Sequence, residues 1–159
     1  MIKLIGAGAI IICTVGMGLH LTKKNKSSLL FIKEILEFMK YTKEKIEYFN
    51  APIDDITENY TTQNIQSEIM IRSIKTDEWT KSLDEQKEMT LPQEASNIIK
   101  EFGKKLGKSN KQDQVAMCNY CIDRLENLYQ EMQSDIPQKN KITFALCIYG
   151  GLMIIILFI

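Results

Sequence analysis

Two long apolar runs, one at each end of the chain, constrain its fold more than any other feature. Residues 4–21 and 142–159 contain no Lys, Arg, Asp or Glu. As a helix, each run would extend about 27 Å, close to the roughly 30 Å of hydrocarbon in a bilayer. A helix is required there because lipid offers no partners to backbone N–H and C=O groups. The sequence therefore predicts transmembrane helices within residues 1–21 and 142–159, with a separate folded domain at 22–141.

The first run is interpreted as a retained anchor and not as a cleaved signal peptide. Its cluster of small residues, 6–9, lies at the start of the run, where a peptidase site is not expected. Basic residues flank the inner ends of both runs, namely Lys23, Lys24, Lys26, Lys139 and Lys141. By the positive-inside rule, the domain between the runs is expected in the cytosol and both termini across the membrane.

Small side chains form one face of the first run, which would let a second helix approach closely. They recur at helical spacing at Gly6, Ala9, Cys13 and Gly16, and the second run has a smaller notch at Gly150 and Gly151. We expect these positions to pack the two runs together or against membrane helices of partners. The alternative is that glycine is simply common in membrane helices.

The domain between the runs is predicted to be a bundle of helices, which makes the chain all-α. No glycine occurs between Gly18 and Gly103, so the tight turns of a β-meander are missing. Apolar residues at helical spacing predict a helix from residue 28 to 49, ended by Asn50-Ala51-Pro52. Shorter helices are expected from Asp54, over residues 65–74, and around Trp79 and Leu83.

A corner between the last two helices of the bundle is marked by two glycines. Pro92 is well placed to start the first of these helices, and Gly107 to end it. Ser109 is expected to cap the final helix. Both Gly103 and Gly107 are expected to adopt positive φ. Short linkers, one of them at Pro137, are expected to join the bundle to the apolar runs.

Composition and motifs argue against catalysis and against nucleic-acid binding. The chain balances 20 Lys+Arg with 20 Asp+Glu, whereas a nucleic-acid binder would show a basic excess. A single histidine leaves little material for acid–base chemistry, and no GxSxG motif is present. The glycines at 103 and 107 are one residue too close for a Walker loop. We predict a protein that is not an enzyme, without metal, cofactor or small-molecule substrate.

Cys118 and Cys121 have CxxC spacing on the apolar stripe of the final helix. No second pair and no nearby histidine completes a zinc site, so burial as small hydrophobic residues is favoured. This pair supports one alternative function, a membrane redox or transport subunit. A membrane-bound sensor ranks lower, because no extracellular sensing domain is evident.

The corner also carries a resemblance to a known family. Residues 101–109, EFGKKLGKS, followed by Asp113 and Gln114, resemble the FGxxLGxSxxxxQ signature of stage III sporulation protein AB. The opening MIKLIGA and the closing Gly-Gly-Leu-Met-Ile run are similar to that family as well. The chain departs from it at Pro137, where the family usually continues a helix, and this argues against a rigid continuous helix into the membrane.

The resemblance implies a component of the channel between mother cell and forespore in endospore formation, located in the mother-cell membrane that surrounds the forespore. It also implies a helical domain similar to that of the type II secretion F protein, the inner-membrane platform that meets a cytosolic ATPase. By analogy, the chain would be a non-catalytic platform that docks the sporulation ATPase called protein AA and other stage III channel proteins.

The corner from Phe102 to Gln114 is the candidate contact for such a partner, because it combines lysines expected to be exposed with tight glycine turns. The alternative is a purely structural role in helix capping and packing. The residues assigned to the contact are Phe102, Gly103, Lys104, Lys105, Leu106, Gly107, Lys108, Ser109, Lys111 and Gln114.

Overall fold

The computed structural model describes the backbone of residues 2–62, 64–76, 78–85 and 91–158, with side chains over 14–62, 64–76, 78–85, 91–154 and 156. Every regular element in these ranges is a helix, which confirms the all-α prediction. In chain order the helices are α1 (Ile2–Phe49), α2 (Ile53–Asn59), α3 (Ile65–Arg72), α4 (Trp79–Asp84), α5 (Gln93–Lys105) and α6 (Lys111–Phe158).

Helices α1 and α6 form an antiparallel hairpin that runs the length of the molecule. Each has 48 residues, which gives a length of about 72 Å. Three contacts fix their register: Gly151 lies against Thr14, the Asn25 side-chain amide donates to Asn140, and Lys40 pairs with Glu126. The four short helices connect the two long ones and pack against them within residues 22–141. We call this part the central bundle and residues 1–21 and 142–159 the apolar ends.

Both long helices continue unbroken from the central bundle into the apolar ends. The short linkers and the interruption expected at Pro137 are therefore wrong. Pro137 lies inside α6 on an exposed side of the helix. Because proline has no N–H, the Gln133 carbonyl lacks its usual helical hydrogen bond. Gln133 is exposed as well, so water can donate a hydrogen bond to that carbonyl. The positions 21/22 and 141/142 mark a change in side-chain polarity and not a break in the backbone.

The predicted boundaries of the shorter elements agree well with the structure. Helix α1 ends at Phe49 because Asn50 is in the left-handed region, with φ of 50°, and Pro52 follows. Helix α2 has acidic residues in its first turn, as expected, and α5 begins directly after Pro92. The Asn64 side chain caps α3 by accepting a hydrogen bond from the Gln66 N–H at 2.9 Å.

The core of the central bundle lies between α1, α6 and the short helices, and aromatic rings occupy its centre. The ring of Phe102 lies 6.3 Å from the rings of both Phe38 and Trp79. The indole N–H of Trp79 donates to the Ile99 carbonyl at 2.7 Å, which satisfies its only donor inside the core. Trp79 and Leu83 lie in α4, the short helix expected around them, and both are buried. This packing attaches α4 and α5 to α1 and thereby positions the junction of α5 with α6.

The apolar ends present large side chains outward. The exposed ones include Met17, Leu19, Leu21, Ile142, Leu146, Tyr149, Leu152, Met153 and Ile156. Within the part of the chain that the structure describes, no helix combines the length and the hydropathy needed to cross a bilayer.

The small residues of the apolar ends agree only in part with the prediction: Gly151 packs against the facing helix as expected, and Gly18 does so in addition. A Cβ at Gly18 would lie 2.8 Å from the Phe144 ring, and one at Gly151 would lie 2.9 Å from Thr14 Cγ2. Gly16 and Gly150 instead face open space. Contact between the two long helices at Gly16 and Gly150 is therefore a wrong prediction, and contact with a partner's helix stays a prediction. The side chains at positions 6, 9 and 13 lie outside the described ones.

Candidate partner-docking corner

The backbone reverses direction between α5 and α6 over five residues, 106–110. Leu106 is extended, with φ of −61° and ψ of 127°, and Gly107 has φ of +78°. The positive φ predicted for Gly107 is confirmed. A side chain at Gly107 would be strained by the positive φ. Its Cβ would also lie 2.4 Å from Ile53 Cδ1, so the flexible end of that side chain would have to shift.

The side chain of Gln114 holds this turn together from inside. Gln114 is 4% exposed. Its Nε2 donates to the Lys105 carbonyl at 3.1 Å and to Ser109 Oγ at 3.0 Å, while its Oε1 accepts from the Gly107 N–H at 3.1 Å. One side chain from the first turn of α6 thus bonds to a carbonyl at the end of α5, which also accepts from the Lys108 N–H, and to an amide of the turn.

Asn110, and not Ser109, caps the start of α6. Asn110 Oδ1 accepts from the Asp113 N–H at 2.9 Å, and Asn110 Nδ2 donates to the Asp113 carboxylate at 2.7 Å. This is a cap in which the side chains at the first position and three residues later are linked. The cap predicted at Ser109 is wrong, because the Ser109 hydroxyl is already bonded to Gln114 inside the corner.

Gly103 serves close packing and not a change of chain direction. It lies within α5, and the described residues with positive φ are Asn50 and Gly107, so the positive φ expected at Gly103 is wrong. A Cβ at Gly103 would lie 2.0 Å from Cδ1 of Trp79. The missing side chain lets the indole ring lie directly on α5.

The corner therefore has an inner and an outer face. Phe102, Leu106 and Gln114 are buried and build the inner face. The outer face carries four exposed lysines, Lys104, Lys105, Lys108 and Lys111. Every residue that matches the family signature takes part in building the turn or packing it. Three of the exposed lysines, Lys104, Lys105 and Lys108, occupy variable positions between the fixed residues of the signature.

A surface pocket of about 440 Å³ opens on the outer face. Lys105 forms a salt bridge with Glu101 at 2.7 Å, and this hydrogen bond raises the pKa of the Lys105 ammonium group. Met117 is half-buried and Tyr120 is exposed, so the pocket joins apolar and aromatic surface to a basic rim. Its lining consists of Lys104, Lys105, Lys108, Ser109, Asp113, Met117 and Tyr120.

The corner lies at the opposite end of the hairpin from the apolar ends. Helix α6 begins at Lys111, and its apolar part begins at Ile142. The rise of a helix places these two positions roughly 45 Å apart.

Comparison with known families gives one clear result. The sequence profile of stage III sporulation protein AB matches residues 3–159, nearly the whole chain. The chain belongs to this family. Membership assigns it a role in stage III of sporulation and confirms the resemblance seen at the corner. No curated protein and no solved structure gives a match.

In this member of the stage III sporulation protein AB family, the cysteine pair is buried behind the corner. Cys118 and Cys121 are fully buried, as predicted. Burial raises the pKa of Cys118 to about 12 and that of Cys121 to about 11. Because the thiolate is the form that attacks disulfides and binds metals, this environment disfavours both chemistries. The geometry gives the redox alternative no support.

Sequence reasoning missed two pocket residues outside the predicted corner, Met117 and Tyr120, and it left Asp113, inside the corner, without a role. The three are spaced i, i+4 and i+7 along α6, which places them on one face of that helix. That spacing could have indicated a shared surface on α6. The other side of the pocket is formed by Lys104, Lys105, Lys108 and Ser109, and the sequence does not show that the end of α5 lies beside this face of α6.

Proposed function

We propose that this family member is a non-catalytic membrane platform of the mother cell–forespore channel apparatus. In this proposal, it docks a cytosolic secretion-type ATPase on the outer face of the corner and binds other channel subunits through its membrane part. The observation that carries the proposal is the separation of two surfaces on one hairpin. Outward apolar side chains lie at one end, and a lysine-rimmed pocket lies roughly 45 Å away.

The outward apolar side chains support the membrane part of the proposal. Contiguous apolar surface is unfavourable in water, by roughly 25 cal/mol per Å², and on a folded protein it marks an interface. In the proposed topology, both apolar ends cross the mother-cell membrane around the forespore, and the central bundle lies in the cytosol. Lysines next to both ends favour this orientation.

The chemistry of the pocket supports a protein partner with an acidic segment. Lysines on the rim attract carboxylates, while Met117 and Tyr120 offer surface to an apolar anchor residue. The partner that fits the family's stage III role is the sporulation ATPase called protein AA. The same proposal includes a likeness between the central bundle and the helical domain of the type II secretion F protein, which meets an ATPase in its own system.

Charge reversal on the outer face tests the partner contact. Lys104→Glu with Lys108→Glu changes the rim but leaves the Lys105–Glu101 pair intact. We expect the full-length variant in detergent to lose at least about tenfold in apparent affinity for the ATPase, because like charges now oppose at the contact. The matched control is Lys33→Glu with Lys81→Glu, two exposed lysines on α1 and α4 that each pair with a nearby acid. Wild-type affinity in the first variant, with an unchanged circular dichroism spectrum, would contradict the contact.

The topology needs a reporter cysteine, because Cys118 and Cys121 are buried. Gln112 is exposed at the start of α6 and is suitable for Gln112→Cys. With the variant produced in cells that are not sporulating, we expect a membrane-impermeant maleimide to leave it unlabelled in intact cells and to label it after permeabilisation. Labelling in intact cells above the level of the parent protein would contradict a cytosolic bundle.

A further inference from the structure

Helix α3 turns two large apolar side chains away from the bundle. Its inner face, with Ser67, Met70 and Ile71, is buried. On the opposite side Ile65 is 73% exposed and Ile69 is 58% exposed. These two residues are four apart and share one face of the helix. Two neighbouring isoleucines opposite a buried face form an exposed apolar patch, a feature typical of interaction surfaces.

The start of α3 lies next to the place where α1 changes from apolar to basic. A pocket of about 330 Å³ joins Gln66 of α3 to His20, Lys23, Lys24 and Ser27 of α1. Ile65 directly precedes Gln66, so the exposed isoleucines lie near the level of these lysines along the hairpin.

Helix α6 adds basic side chains at the same level. The hydrogen bond from the Asn25 amide to Asn140, at 2.7 Å, sets residues 23–26 of α1 beside residues 139–142 of α6. Lys141 therefore joins the lysines of α1 in a basic collar around the hairpin, and the charge that Lys139 adds is partly offset by its pair with Asp135. On α3, Glu68 pairs with Arg72.

We propose that α3 is an interfacial helix that docks on the anionic surface of the bilayer holding the apolar ends. Ile65 and Ile69 insert at the boundary between headgroups and acyl chains. Phospholipid phosphates bind at the pocket formed with Lys23 and Lys24, and the collar draws further anionic lipid to the site. The inference rests on the proposed membrane anchoring and adds a third attachment, which fixes the orientation of the central bundle against the membrane.

Tryptophan quenching by acyl-brominated lipids tests this placement in the full-length chain. The Ile69→Trp variant is reconstituted in vesicles of phosphatidylcholine and phosphatidylglycerol. Because an inserted indole contacts the bromines, we expect its added emission to fall about twofold. The native Trp79 is buried in the core and gives a constant background. The matched control is Phe49→Trp, an exposed site on α1 roughly 40 Å from the collar, where we expect no added quenching.

Two further arms separate the parts of the proposal. Lys23→Gln with Lys24→Gln, or vesicles of phosphatidylcholine alone, should reduce the quenching of the Ile69→Trp variant. If neither change reduces the quenching of the Ile69→Trp variant, the basic lipid site is refuted. A variant that floats with the vesicles but stays unquenched would overturn the interfacial helix and assign the isoleucine face to a protein partner. A chain that fails to float would instead refute the membrane anchoring itself.

Discussion

The two long helices run through both the central bundle and the apolar ends, yet large apolar side chains face inward in the bundle and outward in the ends. In the bundle, Phe31, Phe38 and Leu125 face inward and are fully buried. In the ends, Leu19, Leu146 and their neighbours face outward. The short helices α2–α5 explain the difference, because they cover the hairpin in the bundle and leave it uncovered in the ends. One hairpin is thus fitted to two surroundings along its length.

Glycine has a different function in each region. In the bundle, Gly103 makes room for an indole ring that is hydrogen-bonded in place. In the ends, Gly18 and Gly151 make room for side chains of the facing long helix. The bundle therefore uses glycine to attach an added layer, and the ends use it to bring two helices together. Substitutions can separate these functions.

The largest expected effect is at Gly103. Gly103→Val places a branched side chain where the Trp79 ring lies, and the ring cannot retreat without breaking its bond to Ile99. We expect a loss of about 3 kcal/mol in the free energy of unfolding, measured by urea denaturation of the full-length chain in detergent. Lys104→Ala, an exposed change on the same helix, should cost less than about 0.5 kcal/mol. Equal stability of the two variants would contradict the close packing of the ring on α5.

The next largest effect on stability is expected at Gln114, whose side chain holds the corner together. Gln114→Ala removes three hydrogen bonds: the Gly107 N–H loses its partner, and the Lys105 carbonyl keeps only its bond from the Lys108 N–H. We expect a loss of about 2 kcal/mol in the same measurement.

Gln112 is exposed two residues earlier and provides the control for the corner. Gln112→Ala should leave the unfolding midpoint unchanged. If both glutamine variants behave alike, the structural role of Gln114 is refuted.

A smaller effect is expected in the apolar ends. Gly151→Val would press against Thr14 of the facing helix, whereas Gly150→Val meets open space. We expect Gly151→Val to lower the free energy of unfolding of the detergent-solubilised chain by about 1–2 kcal/mol, with little change for Gly150→Val. The reverse order would show that the two long helices meet through a different face.

The smallest effect is a pH dependence confined to the bundle. The thiols of Cys118 and Cys121 have ordinary pKa values of 9.0 that burial raises to about 12 and about 11. Between pH 8 and pH 9 the unfolded chain begins to lose these protons while the folded chain keeps them, so stability falls as pH rises. We expect a decline of about 0.7 kcal/mol in the free energy of unfolding over this range, measured by urea denaturation.

The double variant Cys118→Ala with Cys121→Ala tests the source of this decline. Its stability should fall less steeply over the same range. A small decline should remain because of Tyr60. Burial, and to a lesser extent the charge of Glu37, raises the pKa of Tyr60 to about 12. An identical slope in the variant and the parent would exclude the thiols as a cause.

The sequence predicts the element boundaries that depend on a residue's own backbone. Asn50 with Pro52, Pro92 and Gly107 act through local conformation, and the chain turns or restarts at each of them. The same local rules predict a break at Pro137, and there packing of α6 along α1 and exposure of the proline outweigh them.

The helix contacts and the cap could not be read from the sequence in the same way. Gly16 and Gly18 are about 200° apart around a helix, and only the register with α6 decides which of them is covered. Ser109 and Asn110 are both good capping residues. The choice between them depends on Gln114, which bonds to Ser109 from the core. These outcomes depend on distant parts of the chain, and local patterns do not contain them.

The unbroken course of α1 and α6 also has a mechanical consequence. A helix resists bending over lengths of this order, so a sideways force at the corner cannot be absorbed where the side chains change from polar to apolar. The hairpin would act as a stiff lever with an arm of roughly 45 Å, and a partner that turns or pushes at its tip would tilt the apolar ends with it.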